Sequence, residues 1–152
     1  MMARLPLLFS ASILASAACS DTSGPNPAEQ IYTAALAQWN ESGPASYDMV
    51  LKRQCICQVS EIDVTIQVRN RVVVSRTFTA SGDPVGSGQV SLYPDVPGLF
   101  ALVRAAMDDD PVFLSATYDQ TYGHPIEIQL DLDGSRSDDN VVYTTLQLTP
   151  VT

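Results

Sequence analysis

The tightest constraint on this chain lies in residues 62–69, where Ile62, Val64, Ile66 and Val68 alternate with Asp63, Thr65, Gln67 and Arg69. A period of two sends the apolar side chains to one face and the polar ones to the other, the pattern of a half-buried strand. Asn70-Arg71 then reads as a tight turn, and Val72 to Thr79 as the returning strand of a hairpin. Asn tolerates the positive φ that such a turn needs, whereas Arg71 is a poorer second residue than Gly.

The remaining elements follow from the same kind of reading. A helix is expected from about Ala28, with Ile31, Ala35 and Trp39 at i, i+4 and i+8, Tyr32 and Leu36 beside them, and Gly43-Pro44 as its stop. Tyr47 to Cys57 alternates as a strand. Ala80 to Gly88 is a loop. A second helix spans about Val96 to Met107, with Asp95 as cap, Pro97 in the first turn, and an apolar face of Leu99, Leu102, Val103 and Ala106. Asp108-Asp109-Asp110-Pro111 ends it. Three more strands are expected at Val112 to Tyr118, Ile126 to Leu132 and Val141 to Leu148. The order is helix-β-β-β twice, without a residue-level repeat. It predicts one α+β domain over residues 28–150: a single antiparallel meander sheet with both helices packed on one face.

The first 27 residues stand apart from this pattern. Arg4, an apolar run from Leu5 to Ala15, and Ser16-Ala17-Ala18 read as an export signal over residues 1–18, too short to span a bilayer. Leu14-Ala15-Ser16-Ala17-Ala18-Cys19 resembles the lipobox of bacterial lipoproteins, although Ser16 stands where Leu is usual. The resemblance implies that Cys19 becomes an N-terminus carrying acyl chains, palmitate among them, and that the membrane is a partner through that lipid. Ser20 is not the Asp of inner-membrane retention, so in a cell with two membranes the outer one, facing the periplasm, is the expected site. Residues 19–27, rich in Ser, Gly, Asn and Pro, form a tether.

Eight basic and 17 acidic residues give the chain a net charge of −9, and loss of Arg4 makes it −10. Such acidity argues against nucleic acid as a partner. The charges are also uneven. Lys52, Arg53, Arg69, Arg71 and Arg76 face only Glu61 and Asp63 in residues 50–80, net +3. Residues 81–152 hold Arg104 and Arg136 against eleven acids, net −9. Either the halves of the sheet complement each other, or a basic hairpin around Arg69, Arg71 and Arg76 meets an anionic envelope protein or polymer.

Trp39, Tyr47, Cys55-Ile56-Cys57, the Asn70 hairpin, Leu99-Phe100, Tyr118-Asp119, Gly123-His124-Pro125 and Asp131 together resemble the domain of unknown function 6174 family, small exported bacterial proteins that are often lipoproteins. The resemblance covers most of residues 30–148. Arg71 replaces a frequent Gly and His124 a usual Tyr. It implies fold and location, and no catalytic residue.

With Cys19 acylated, Cys55 and Cys57 remain in an oxidising compartment. On a strand their Cα atoms would lie about 6.6 Å apart, at the outer edge of disulfide geometry, which a bulge would shorten. A local disulfide, free or intermolecular thiols, and a redox or metal site all stay open. His124, the single histidine, sits in a turn with no nucleophile motif around it. Asp131-Leu132-Asp133-Gly134-Ser135 resembles part of a calcium loop but lacks its terminal Glu at Asn140, and an Asp-Gly turn explains it. Asp108 to Asp110 opposes its helix dipole and invites a counter-charge. Trp39, Tyr47, Phe100 and Tyr118 are expected in the core. No cofactor and no metal site are expected. The reading is a noncatalytic envelope module that binds a protein or ligand, with Arg69, Arg71, Arg76, Tyr118, Asp119 and His124 as candidate binding residues. The alternative is a small redox or metal protein built on Cys55 and Cys57.

Overall fold

A computed structural model describes residues 26–55, 62–109, 111–131 and 140–152. Two helices, α1 (Pro27–Ser42) and α2 (Val96–Asp108), accompany six strands: β1 (Tyr47–Cys55), β2 (Ile62–Arg69), β3 (Val72–Phe78), β4 (Phe113–Tyr118), β5 (Pro125–Asp131) and β6 (Asn140–Pro150). The leader, Cys19, Cys57 and the expected calcium-like loop beyond Asp131 lie outside the described residues. No described helix is long and apolar enough to cross a membrane.

Both helices begin as their sequences dictate. Asn26 Oδ1 accepts the Glu29 amide at 2.8 Å, and Asp95 Oδ1 accepts the Gly98 amide at 3.2 Å, each satisfying a donor that the first turn leaves unpaired. Pro27 and Pro97 sit where a missing N–H costs nothing. Tyr47, from the start of β1, adds a second support to α2: its hydroxyl accepts the Val96 amide at 3.3 Å. Gly43 ends α1 with its N–H on the Trp39 carbonyl, and a Cβ there would lie 2.5 Å from that oxygen.

The stripe that α1 buries differs from the expected one. Tyr32, Ala35 and Trp39 are buried, while Ile31 is 56% exposed. At 100° per residue, Ile31 sits about 80° around the helix from the centre of that stripe. Its exposure leaves a hydrophobe beside the sheet instead of under it.

The sheet is antiparallel throughout, in the order β3-β2-β1-β6-β5-β4. This corrects the single meander. Each set of three strands is a meander, but the two sets join through β1 and β6. The consecutive strands β3 and β4 lie at opposite edges, and α2 belongs to the chain that crosses between them. The physical reason is pairing length. β1 and β6 run opposite each other from Tyr47–Pro150 to Cys55–Val141, past a bulge at Val50/Leu51. Neither the short β3 nor the short β4 could match so long a run.

Register places Tyr47, Met49 and Leu51 beside Val68, Ile66 and Val64 on one face, and Ile128 beside Tyr143 on the same face; all are buried. The α2 residues Val96, Leu99, Phe100, Val103 and Ala106 cover this face, and Trp39 meets Tyr47 edge to face with ring centres 5.5 Å apart. Both helices therefore pack on one side, as expected. Each large side chain removed from water there contributes about 1.5–3 kcal/mol. On the other side, Asp48, Lys52, Asp63, Thr65 and Gln67 remain half-buried.

At the β2–β3 turn, Asn70 has φ 49° and Arg71 φ 65°. Two successive positive φ values match the twist of a two-residue hairpin loop. The strain at Arg71 is offset by tertiary contacts: its amide donates to the Ala45 carbonyl at 2.7 Å, and the Asn70 amide to Ser46 Oγ at 3.0 Å.

Candidate functional site

The basic hairpin disperses its arginines in three directions. Arg69, on the outer face, pairs with Asp48 at 2.7 Å and also donates to the Tyr47 carbonyl. Arg76 turns to the helix-bearing face and donates to the Tyr93 carbonyl at 2.7 Å. Arg71 projects from the turn and is exposed. Lys52–Asp63 and Arg69–Asp48 both lie within the β1–β2 pair, and Arg104 binds Glu29 and Asp108. These described ion pairs therefore do not join the basic half of the sheet to the acidic half.

Tyr118, Asp119 and His124 come together in the β4–β5 connection. Asp119 Oδ1 accepts the Thr121 and Tyr122 amides at 2.9 and 2.6 Å, and the Asp119 amide donates to the His124 carbonyl at 2.8 Å. Gly123 has φ 79°, and a Cβ there would lie 2.4 Å from the Ala35 carbonyl oxygen, so only glycine lets the turn rest on α1. Gln38 fastens the contact by donating to the Gln120 and Thr121 carbonyls at 2.8 and 3.0 Å. His124 is 8% exposed, packs edge to face on Trp39, and holds Nδ1 3.6 Å from Asp119. Burial lowers its pKa below the ordinary 6.5, against the opposing pull of Asp119, so the ring is neutral near pH 7.

Cys55 ends β1 on the buried face. The Arg53 guanidinium approaches its sulfur at 2.7 Å, and also lies over Tyr143, 5.9 Å from the ring centre. Among the described residues no group of three or more His, Cys, Asp and Glu is placed to hold a metal ion. At the end of α2, Arg104 supplies the counter-charge that the acidic run invites, bonding Asp108 at 2.9 Å and Glu29 at 2.6 Å.

That same Arg104 bridge fixes the start of α1 against the end of α2, and beside it opens a groove of about 200 Å³. Ala28 and Ile31 form one wall, Met107 the end, and Leu114, Ala116 and Tyr118 of β4 the floor. An aromatic ladder backs it: Tyr32 meets Phe100 edge to face at 5.9 Å, and Phe100 stacks on Tyr118 at 5.9 Å. Burial raises the Tyr118 phenol to about 12, keeping it neutral. β4 is an edge strand, and among the described residues only β5 pairs with it. Its sequence, FLSATY, carries no charge, and Phe113 is 51% exposed. Sequence reading missed this surface. The signal was present in the uncharged strand and in Ile31, but nothing local says that β4 ends the sheet.

The fold and this open edge define a small α+β domain, two helices on one face of a six-stranded antiparallel sheet. The chain matches the model of a family of unknown function (DUF6174) over residues 32–150, and it belongs to that family. No curated protein and no solved structure matches it.

Proposed function

We propose that this is a cell-envelope lipoprotein, anchored through an acylated Cys19, whose domain is a noncatalytic module that binds a protein or ligand. In a cell with two membranes it sits on the outer one and faces the periplasm. The observation that carries the binding role is the β4 edge: an uncharged strand with unpaired backbone among the described residues, floored and walled by apolar side chains. The leader and the Ser16-Ala17-Ala18-Cys19 sequence support the anchor. In this reading Cys55 and Cys57 form a local disulfide that shapes the end of β1. Mass spectrometry of the native protein should find a diacylglyceryl group on Cys19 and no residue before it. An intact Met1 or an unmodified Cys19 would sink the anchor, and whole-cell crosslinking that never retains a partner would sink the module.

The alternative is a small redox or metal protein built on Cys55 and Cys57. The Arg53 guanidinium 2.7 Å from Cys55 Sγ does not argue for it, because a disulfide-bonded cysteine has no thiolate to stabilise. Thiol titration of the unfolded, unreduced protein separates the two. The structural role predicts no free thiol; a titratable low-pKa thiol or bound metal would support redox or metal chemistry.

A further inference from the structure

We infer that the β4 edge accepts an extended segment of another polypeptide, one with apolar side chains at alternate positions and lysine or arginine at its ends. This rests on the binding-module reading and names the surface and the partner's chemistry. An added strand beside β4 would pair with its unpaired backbone, and its alternate side chains would drop over Leu114, Ala116 and Tyr118 into the groove walled by Ala28 and Ile31. The floor of the groove is formed by alternate residues of β4, Leu114, Ala116 and Tyr118, a spacing that suits an extended chain laid lengthwise.

Charge selects the occupant. β4 is neutral but its surroundings are acidic: Asp108 and Asp109 precede it, Asp119 follows it, and Glu29 stands by Ala28 at the groove wall. Among the described residues of that group Arg104 is the one cation; shared between Glu29 and Asp108, it offsets one of the four acids and leaves the group net negative. A second copy of this chain fits poorly. Antiparallel pairing of two β4 edges would set the acids before one strand against Asp119 after the other. The basic β3 edge of another copy is closed from Arg76 to Phe78 by its own loop, where the Val85 and Phe78 amides bond the Arg76 and Asp83 carbonyls.

The test uses the mature full chain and a synthetic peptide of three Val-Thr repeats with two lysines at each end. Fluorescence anisotropy should show saturable binding that weakens with added salt. Replacing the end lysines by glutamate, or N-methylating alternate peptide amides, should each weaken it about tenfold or more, the size of a lost anchor interaction. Ile31→Lys should do the same while leaving the circular dichroism spectrum unchanged, since Ile31 is exposed. Absence of binding, or binding indifferent to N-methylation, to end charge or to Ile31→Lys, overturns the inference. So does a dimer of the free chain that Ile31→Lys dissociates, because a second copy would then be the occupant. A photocrosslinker in cells that captures a partner from Val74 but not from Phe113 also overturns it, while the binding-module reading survives.

Discussion

The two edges of the sheet solve the same problem in opposite ways. An edge strand offers unpaired backbone to any passing chain, and proteins usually blunt that hazard. At β3 the protein supplies its own cover for the second half of the strand, from Arg76 to Phe78, and leaves Val72 and Val74 exposed. The chain after the strand folds back so that Pro84 bridges Thr77, the Val85 amide bonds the Arg76 carbonyl at 2.9 Å, and the Arg76 side chain reaches the Tyr93 carbonyl. At β4 no described segment covers the strand; helix α1 stands off it and leaves a groove. The closed edge belongs to the basic part of the chain and the open one to the acidic part. An edge left open, uncharged and apolar beside a wall of helix is the arrangement expected where pairing with another chain is wanted.

The comparison breaks first at Gly123, which seats the β4–β5 turn on α1. Gly123→Ala forces a side chain into positive φ and against the Ala35 carbonyl, and should cost about 2–5 kcal/mol; urea denaturation would measure it, and a near-neutral result would mean the turn does not press on α1. The closed edge should yield next. Arg76→Ala removes a charged donor from the Tyr93 carbonyl and should cost about 1.5–3 kcal/mol. Hydrogen exchange should then accelerate at the Val85 and Phe78 amides and stay unchanged in β4.

His124 tests the open side by pH. Its folded pKa lies below the unfolded value, so the unfolded chain takes up the proton first. The stability this neutral ring contributes is complete above about pH 6.5 and is lost as pH falls toward the folded pKa. The urea midpoint of the wild type should therefore drop on acidification more than that of His124→Phe. Parallel curves would show that the ring does not titrate differently in the two states.

Smaller effects sharpen the contrast. Arg71→Gly should stabilise by about 0.5–1 kcal/mol, because φ 65° strains any residue with a Cβ; it also removes the exposed charge of the basic hairpin, so a partner lost with it would point to that end of the sheet. Phe113→Lys, on the open edge, should change stability by no more than about 0.5 kcal/mol. A larger loss would mean that Phe113 is packed.

Much of the secondary structure could be read locally. Ile62 to Arg69 declared its strand by alternation, Asp95 and Pro97 declared the start of α2, and Asn70-Arg71 declared a turn even with an unfavourable second residue. Ile31 and Tyr32 are both apolar and both lie near Ala35 and Trp39 on α1, so the sequence does not say which is buried; only the neighbours of the helix choose Tyr32. The candidate site was less legible. His124 and Asp119 stood out by residue type, yet they are held inside a turn, while the surface that remains open is built from ordinary hydrophobes.

By itself the sequence determined what short-range sterics and periodicity can settle: where the strands and helices lie to within a residue or two, which face of most strands is apolar, that Asp95 caps α2, and how charge divides along the chain; Asn26 and Pro27, read as the end of the tether, instead begin α1. Only the tertiary structure decided that the first and last strands meet at the centre of the sheet and that β3 and β4 become its edges. That choice depends on which long pairing buries the most apolar surface at once, a sum over residues far apart in the chain that no local pattern contains.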